Sequence, residues 1–73
     1  MKVLIIDTVH SALEEKLVKH GYEVEHYTGW NRDECLRLLS TVQGVVIRSK
    51  FIIDAEFLNH APQLKFIARA GAG

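Results

Sequence analysis

An α/β fold built on a parallel sheet is predicted by three observations in the sequence. Four short apolar runs alternate with three amphipathic stretches, and the runs centre on Val3, Val24, Val45 and Phe66, 21 residues apart. That interval holds one strand, about three turns of helix and two short loops, which is a βαβ unit. Two of the runs are continuously apolar, as strands buried on both faces require, and one alternates, as an edge strand with one wet face does.

The first run, Val3–Ile6, is β-branched and leucine throughout and reads as a central strand. The stretch from Ser11 to His20 reads as a helix with Leu13, Leu17 and Val18 inward and Gly21 as its C-terminal cap. Glu23–Tyr27 alternates and is assigned to a sheet edge. Asn31 opens the second helix, with Glu34 completing a capping pattern three positions on, and Cys35, Leu38, Leu39 and Val42 follow helical spacing. The run Val45–Ile47 is a second central strand. Asp54 caps a third, short helix reaching about His60, with Ala55 and Leu58 inward and Pro62 beyond its end. Leu64–Ala68 is the fourth strand. Right-handed crossovers then give the order 2-1-3-4, the first part of a flavodoxin-like 2-1-3-4-5 sheet, with the first helix on one face and the other two opposite.

Composition narrows the function. Apolar residues make up 48% and charged residues 25% of the 73, ordinary for a globular domain. Nine basic residues balance nine acidic ones, so there is no electrostatic footprint for nucleic acid and no basic block for an anionic membrane. The apolar runs are too short to span a bilayer, and no signal-peptide core follows Met1. One cysteine, Cys35, excludes an internal disulfide framework and fits a reducing cytoplasm; its inward position suits a small core residue. His10, His20, His26 and His60 lie on different elements without metal-ligand spacing. Among them only His10 falls near the predicted ligand edge.

Ligands of open α/β sheets bind beyond the carboxyl ends of the strands, where strand order reverses. Asp7-Thr8-Val9-His10, Arg48-Ser49-Lys50 and Arg69-Ala70-Gly71-Ala72-Gly73 fall there. Guanidinium forks, a hydroxyl and a glycine-rich turn suit a phosphate or carboxylate; the plainer alternative makes Arg48 and Lys50 solvated loop charges. A single Asp7 followed by Thr8, with Arg48 after the third strand, excludes a phosphoryl-receiver site. Gly71-Ala72-Gly73 alone is no dinucleotide fingerprint, which needs a third glycine, an opening helix and a later acid. Trp30 serves either as a packing staple or as an exposed contact.

Two spaced motifs carry a family resemblance. Gly44-Val45-Val46-Ile47-Arg48-Ser49, followed after a helix by Ala61-Pro62-Gln63-Leu64-Lys65-Phe66-Ile67-Ala68-Arg69-Ala70-Gly71-Ala72-Gly73, resembles the N-terminal segment of the D-isomer-specific 2-hydroxyacid dehydrogenases, nearest the branch that oxidises D-3-phosphoglycerate. Lys2-Val3-Leu4-Ile5-Ile6-Asp7 fits as well. The resemblance implies that residues 1–73 are a partial substrate-binding domain of an NAD-dependent oxidoreductase, ending before the dinucleotide-binding domain. It implies substrate contacts from Arg48, Ser49 and Arg69 and from the backbone of Gly71, Ala72 and Gly73. It places no catalytic or cofactor-binding residue here, so the 73 residues alone are expected to be inactive. A stand-alone interaction module and a small phosphate-binding domain are the alternatives. The open fourth strand and a sheet face under a single helix predict a homodimer through one or the other.

Overall fold

The computed structural model describes residues 1–6, 11–48 and 50–69. Strand β1 (Lys2–Ile6) is followed by helix α1 (Ser11–Lys19), β2 (Glu23–Tyr27), α2 (Arg32–Leu38) with a 3-10 turn over Leu39–Thr41, β3 (Gly44–Ile47), α3 (Ala55–Asn59) and β4 (Phe66–Arg69). Among the described residues the strands form one parallel sheet in the order β2-β1-β3-β4, as anticipated. β1 and β3 are buried on both faces. No helix among the described residues is long and apolar enough to cross a membrane.

The register refines the 21-residue interval. Val3 pairs with Val24, but Leu4, not Val3, pairs with Val45, and Val45 pairs with Ile67. A one-residue offset in a strand reverses the face a side chain occupies. Val45 therefore joins Leu4, Ile6 and Ile47 under α2 and α3, while Val3 and Val24 pack on the α1 side. β4 starts at Phe66, two residues later than its apolar run, because the Gln43 carbonyl takes the N–H groups of both Lys65 and Phe66 (2.7 and 3.3 Å) before the ladder begins.

The caps form where local chemistry puts them. Gly21 adopts φ +87°, which a side chain would strain. The N–H of Tyr22 then reaches the Leu17 carbonyl (3.0 Å) and that of Gly21 reaches Val18 (3.0 Å), a Schellman closure. Asn31 Oδ1 accepts from the Glu34 N–H (3.1 Å), and Asp54 Oδ1 from the Phe57 N–H (3.0 Å).

Inward assignments on all three helices are corrected. Val18 is 56% exposed, because it lies a quarter-turn off the Leu13–Leu17 stripe that packs on the sheet. On α2 Leu36 is buried and Leu38 is not; the two flank the Cys35–Leu39–Val42 stripe on opposite sides, and Leu36 is on the side sharing a cluster with Phe57. On α3 the buried residue is Phe57, fully enclosed, whereas Leu58 is 48% exposed and Ala55 is exposed. Five residues make barely more than one turn, too few for periodicity to select a face.

The α1 face is closed further than one helix would close it. Tyr22 and Phe66 meet edge to face with centroids 6.1 Å apart, and Val3, Ile5 and Val46 beneath are buried. At the sheet edges the chemistry differs. β2 carries Glu23, Glu25 and His26, with Lys2 Nζ 3.0 Å from Glu25; β4 presents Phe-Ile-Ala-Arg with Ile67 37% exposed. Charges blunt an edge strand, and apolar residues leave it open to pairing.

Candidate functional site

The carboxyl ends of β3 and β4 lie side by side. Ile47 pairs with Arg69, and Arg48 is the next residue, so two exposed arginines sit at neighbouring strand ends. Of the other positions proposed from sequence, Asp7-Thr8-Val9-His10, Ser49 and Ala70-Gly71-Ala72-Gly73 lie outside the described residues. The structure thus places the backbones of Arg48 and Arg69 at adjoining strand ends. A guanidinium group binds a carboxylate or phosphate through paired N–H donors.

Lys50 is engaged differently. Its Nζ donates to the Thr28 carbonyl (3.3 Å) and lies 4.5 Å from the centroid of the Trp30 ring. The indole is 77% exposed, so Trp30 is a surface contact and not a core staple. The loop that carries it is fixed from beneath by Tyr27. The tyrosine hydroxyl accepts from the Asn31 N–H (3.1 Å), with the Asn31 carbonyl (2.9 Å) and Glu34 Oε1 (3.0 Å) both in reach of its single proton. The capping pattern read from Asn31 and Glu34 is thus completed through a tyrosine. Burial, reinforced by Glu34, raises the Tyr27 hydroxyl above the usual tyrosine range. Gly29 is glycine for steric reasons: a Cβ there would lie 2.6 Å from the Tyr27 oxygen.

Sequence reasoning missed Arg32. It opens α2, where the helix dipole disfavours a cation, and that anomaly was the available signal for acidic partners elsewhere. Its Nη1 donates to the Ile52 carbonyl (2.9 Å), its Nη2 to Asp54 Oδ1 (2.6 Å), and its Nε lies 3.5 Å from Glu56 Oε1. The Phe57 N–H, aided by the Arg32 guanidinium, holds the Asp54 carboxyl below the ordinary aspartate range.

The remaining candidates take structural positions. Cys35 is buried, and burial pushes its thiol up to about 11 against the pull of Arg32 and Lys50, which leaves it a thiol and a poor nucleophile. His26 Nε2 meets Glu14 Oε1 at 2.6 Å, tying α1 to β2, and His60 Nδ1 lies 2.8 Å from the Glu56 carbonyl at the end of α3. Among the described residues no group of three His, Cys, Asp or Glu side chains could hold a metal ion. The described strand-to-helix turns at this edge carry Thr28-Gly29-Trp30 and Lys50-Phe51-Ile52, not the glycine-rich turn that cradles a dinucleotide pyrophosphate, so they do not fit NAD.

Residues 3–73 match the family described as D-isomer specific 2-hydroxyacid dehydrogenase, catalytic domain. The chain is 38% identical over all 73 residues to D-3-phosphoglycerate dehydrogenase of Archaeoglobus fulgidus, covering 14% of that protein. It is 41% identical over 51 residues, 70% of its length, to the Mycobacterium tuberculosis H37Rv protein of the same name, covering 10% of it. To the Homo sapiens protein of that name it is 29% identical over 72 residues, 99% of its length and 14% of the human chain. The chain therefore spans about a seventh or less of the relatives it matches.

Proposed function

Because the chain belongs to the D-isomer specific 2-hydroxyacid dehydrogenase family, we propose that it is the first part of the substrate-binding domain of an NAD-dependent enzyme acting on D-3-phosphoglycerate or a related D-2-hydroxyacid. The observation that carries this reading is the pair Arg48 and Arg69 at the adjoining carboxyl ends of β3 and β4. In this reading Arg48 and Ser49 contact the substrate, Arg69 holds its phosphate end, and backbone N–H groups of Gly71, Ala72 and Gly73 take its carboxylate. NAD, held by another part of the enzyme, would supply the hydride acceptor for oxidation of the substrate hydroxyl. These 73 residues bind and orient the anion; general acid–base chemistry and cofactor positioning are supplied elsewhere, and each contributes orders of magnitude to such a rate.

The test is a titration of the isotope-labelled chain with inorganic phosphate and with 3-phosphoglycerate, followed at the Arg48 and Arg69 amides by NMR. Both amides are expected to shift. Arg48→Met should weaken binding roughly 10- to 100-fold, the size of a charge-assisted hydrogen bond. Silence at both amides, or undiminished binding by the variant, rejects the reading. The same sample with NAD and 3-phosphoglycerate is expected to form no NADH.

The unblunted edge of β4 favours a second element of the proposal, a homodimer formed by strand pairing along Phe66–Arg69. Light scattering should give a mass that doubles with rising concentration. Glu in place of Ile67 should return the monomer; a wild-type monomer at high micromolar concentration counts against the pairing.

A further inference from the structure

The loop that follows Arg48 is stitched to the loop between β2 and α2 by contacts that no secondary structure requires. Within residues 50–54, Lys50 is held by the Thr28 carbonyl and the Trp30 ring, and the Phe51 ring lies against that of Tyr27 with centroids 6.4 Å apart. Arg32 takes the Ile52 carbonyl and the Asp54 carboxylate. The loop that does the holding is itself anchored, through the Asn31 N–H on the Tyr27 hydroxyl and the bare Gly29 beside it. Arg48 thus has the β3 ladder on one side, at Ile47, and on the other a loop secured from Lys50 onward.

We propose that Trp30 and Arg32 are positioning residues for the anion site: they clasp residues 50–54 against the β2–α2 loop so that Arg48 meets an anion from a fixed place. The proposal rests on the anion-binding reading above and adds residues that touch no anion. Two features separate the clasp from ordinary packing. Trp30 is 77% exposed, so little of the indole is spent on the core, and its ring instead receives a cation. Arg32 stands where the α2 dipole opposes it, so its partners must compensate, and one of these is the backbone of the anion-bearing loop. Ordering a loop before the ligand arrives removes an entropic cost that the ligand would otherwise meet. The clasp also takes Lys50 into the framework of the loop, through the Thr28 carbonyl and the Trp30 ring.

The experiment compares wild type with Trp30→Ala, Trp30→Phe, Arg32→Met and Arg32→Lys, with Arg37→Met, on the last turn of α2, as control. Each chain is measured for ¹⁵N order parameters over residues 50–54 and for inorganic phosphate affinity at the Arg48 amide. Wild type should show the order of rigid backbone, about 0.85, and Trp30→Ala and Arg32→Met values nearer 0.6. Phosphate affinity should fall about three- to fivefold in Trp30→Ala, the scale of an exposed cation–π contact, and recover in Trp30→Phe. Arg32→Lys should recover less than Trp30→Phe, because a single ammonium does not reproduce the fork. Unchanged order in the variants overturns the clasp. Lost order with unchanged affinity reduces it to packing and overturns the positioning role. A rise in affinity in Trp30→Ala overturns it too, by showing that Trp30 withholds Lys50 from the anion. If wild type itself binds no phosphate, the anion-binding reading fails and the positioning role with it; in every other outcome that reading stands.

Discussion

Phe57→Ala is expected to lower the urea midpoint of the chain far below that of the wild type. Phe57 is fully enclosed on α3 and belongs to the cluster that includes Leu4, Ile6, Leu36, Leu39 and Val45. Truncating such a ring costs about 3–5 kcal/mol, partly in transfer from water and partly in the cavity left behind. A chain of this size has roughly 4–11 kcal/mol of stability to lose, at ~0.05–0.15 kcal/mol per residue. The substitution therefore removes about a quarter of that margin at least, and in the lower part of the range nearly all of it. Leu58→Ala, one residue on and 48% exposed, is the internal comparison and should cost under about 1 kcal/mol. Urea unfolding followed by circular dichroism reads both. Equal losses at the two positions would mean that α3 presents a different face to the sheet.

Gly44→Ala should be the most costly addition of a single methyl group. Gly44 pairs with Phe66 across the β3–β4 ladder, and the Phe66 ring lies over the glycine so closely that a Cβ would stand 2.2 Å from its Cζ. The ring would have to swing away, giving up its edge contact with Tyr22 and uncovering Val46 below. Overpacking of this kind costs roughly 1–3 kcal/mol, and each kcal/mol lowers the melting temperature of a domain this small by about 4–8 °C. The cause is testable with a double-mutant cycle. Once Phe66 is already alanine, the alanine at Gly44 should cost much less; strictly additive losses would exonerate the ring. The consequence reaches the site, because the Gly44–Phe66 contact seats the start of the strand whose last residue is Arg69.

These two residues show where sequence reading stopped. The sheet order, the two doubly buried strands and the caps at Gly21, Asn31 and Asp54 were legible because each follows from chemistry within a few residues of chain. Phe57 was not, since a five-residue helix has no periodicity to consult. The offset that moved Val45 to the opposite face from Val3 was hidden as well, because equal spacing along the chain does not determine equal advance along the sheet. At the site, the adjacency of the strand ends that carry Arg48 and Arg69 was legible from topology alone. The engagement of Lys50 by Trp30, and the reach of Arg32 to Ile52 and Asp54, join residues about 20 positions apart and left only an indirect trace, a cation at the wrong end of a helix.

Local chemistry in the sequence by itself determined which segments are strands and helices, where the helices start and stop, and how the strands are ordered. Periodic burial, capping and crossover handedness act over a few residues or one connection, so they are written into the chain one segment at a time. Tertiary structure alone decided which ring fills the core, which strand register prevails, and how the loop after Arg48 is held. Those choices are settled by competition among distant side chains for the same space and the same hydrogen-bonding groups, and no single segment contains both competitors.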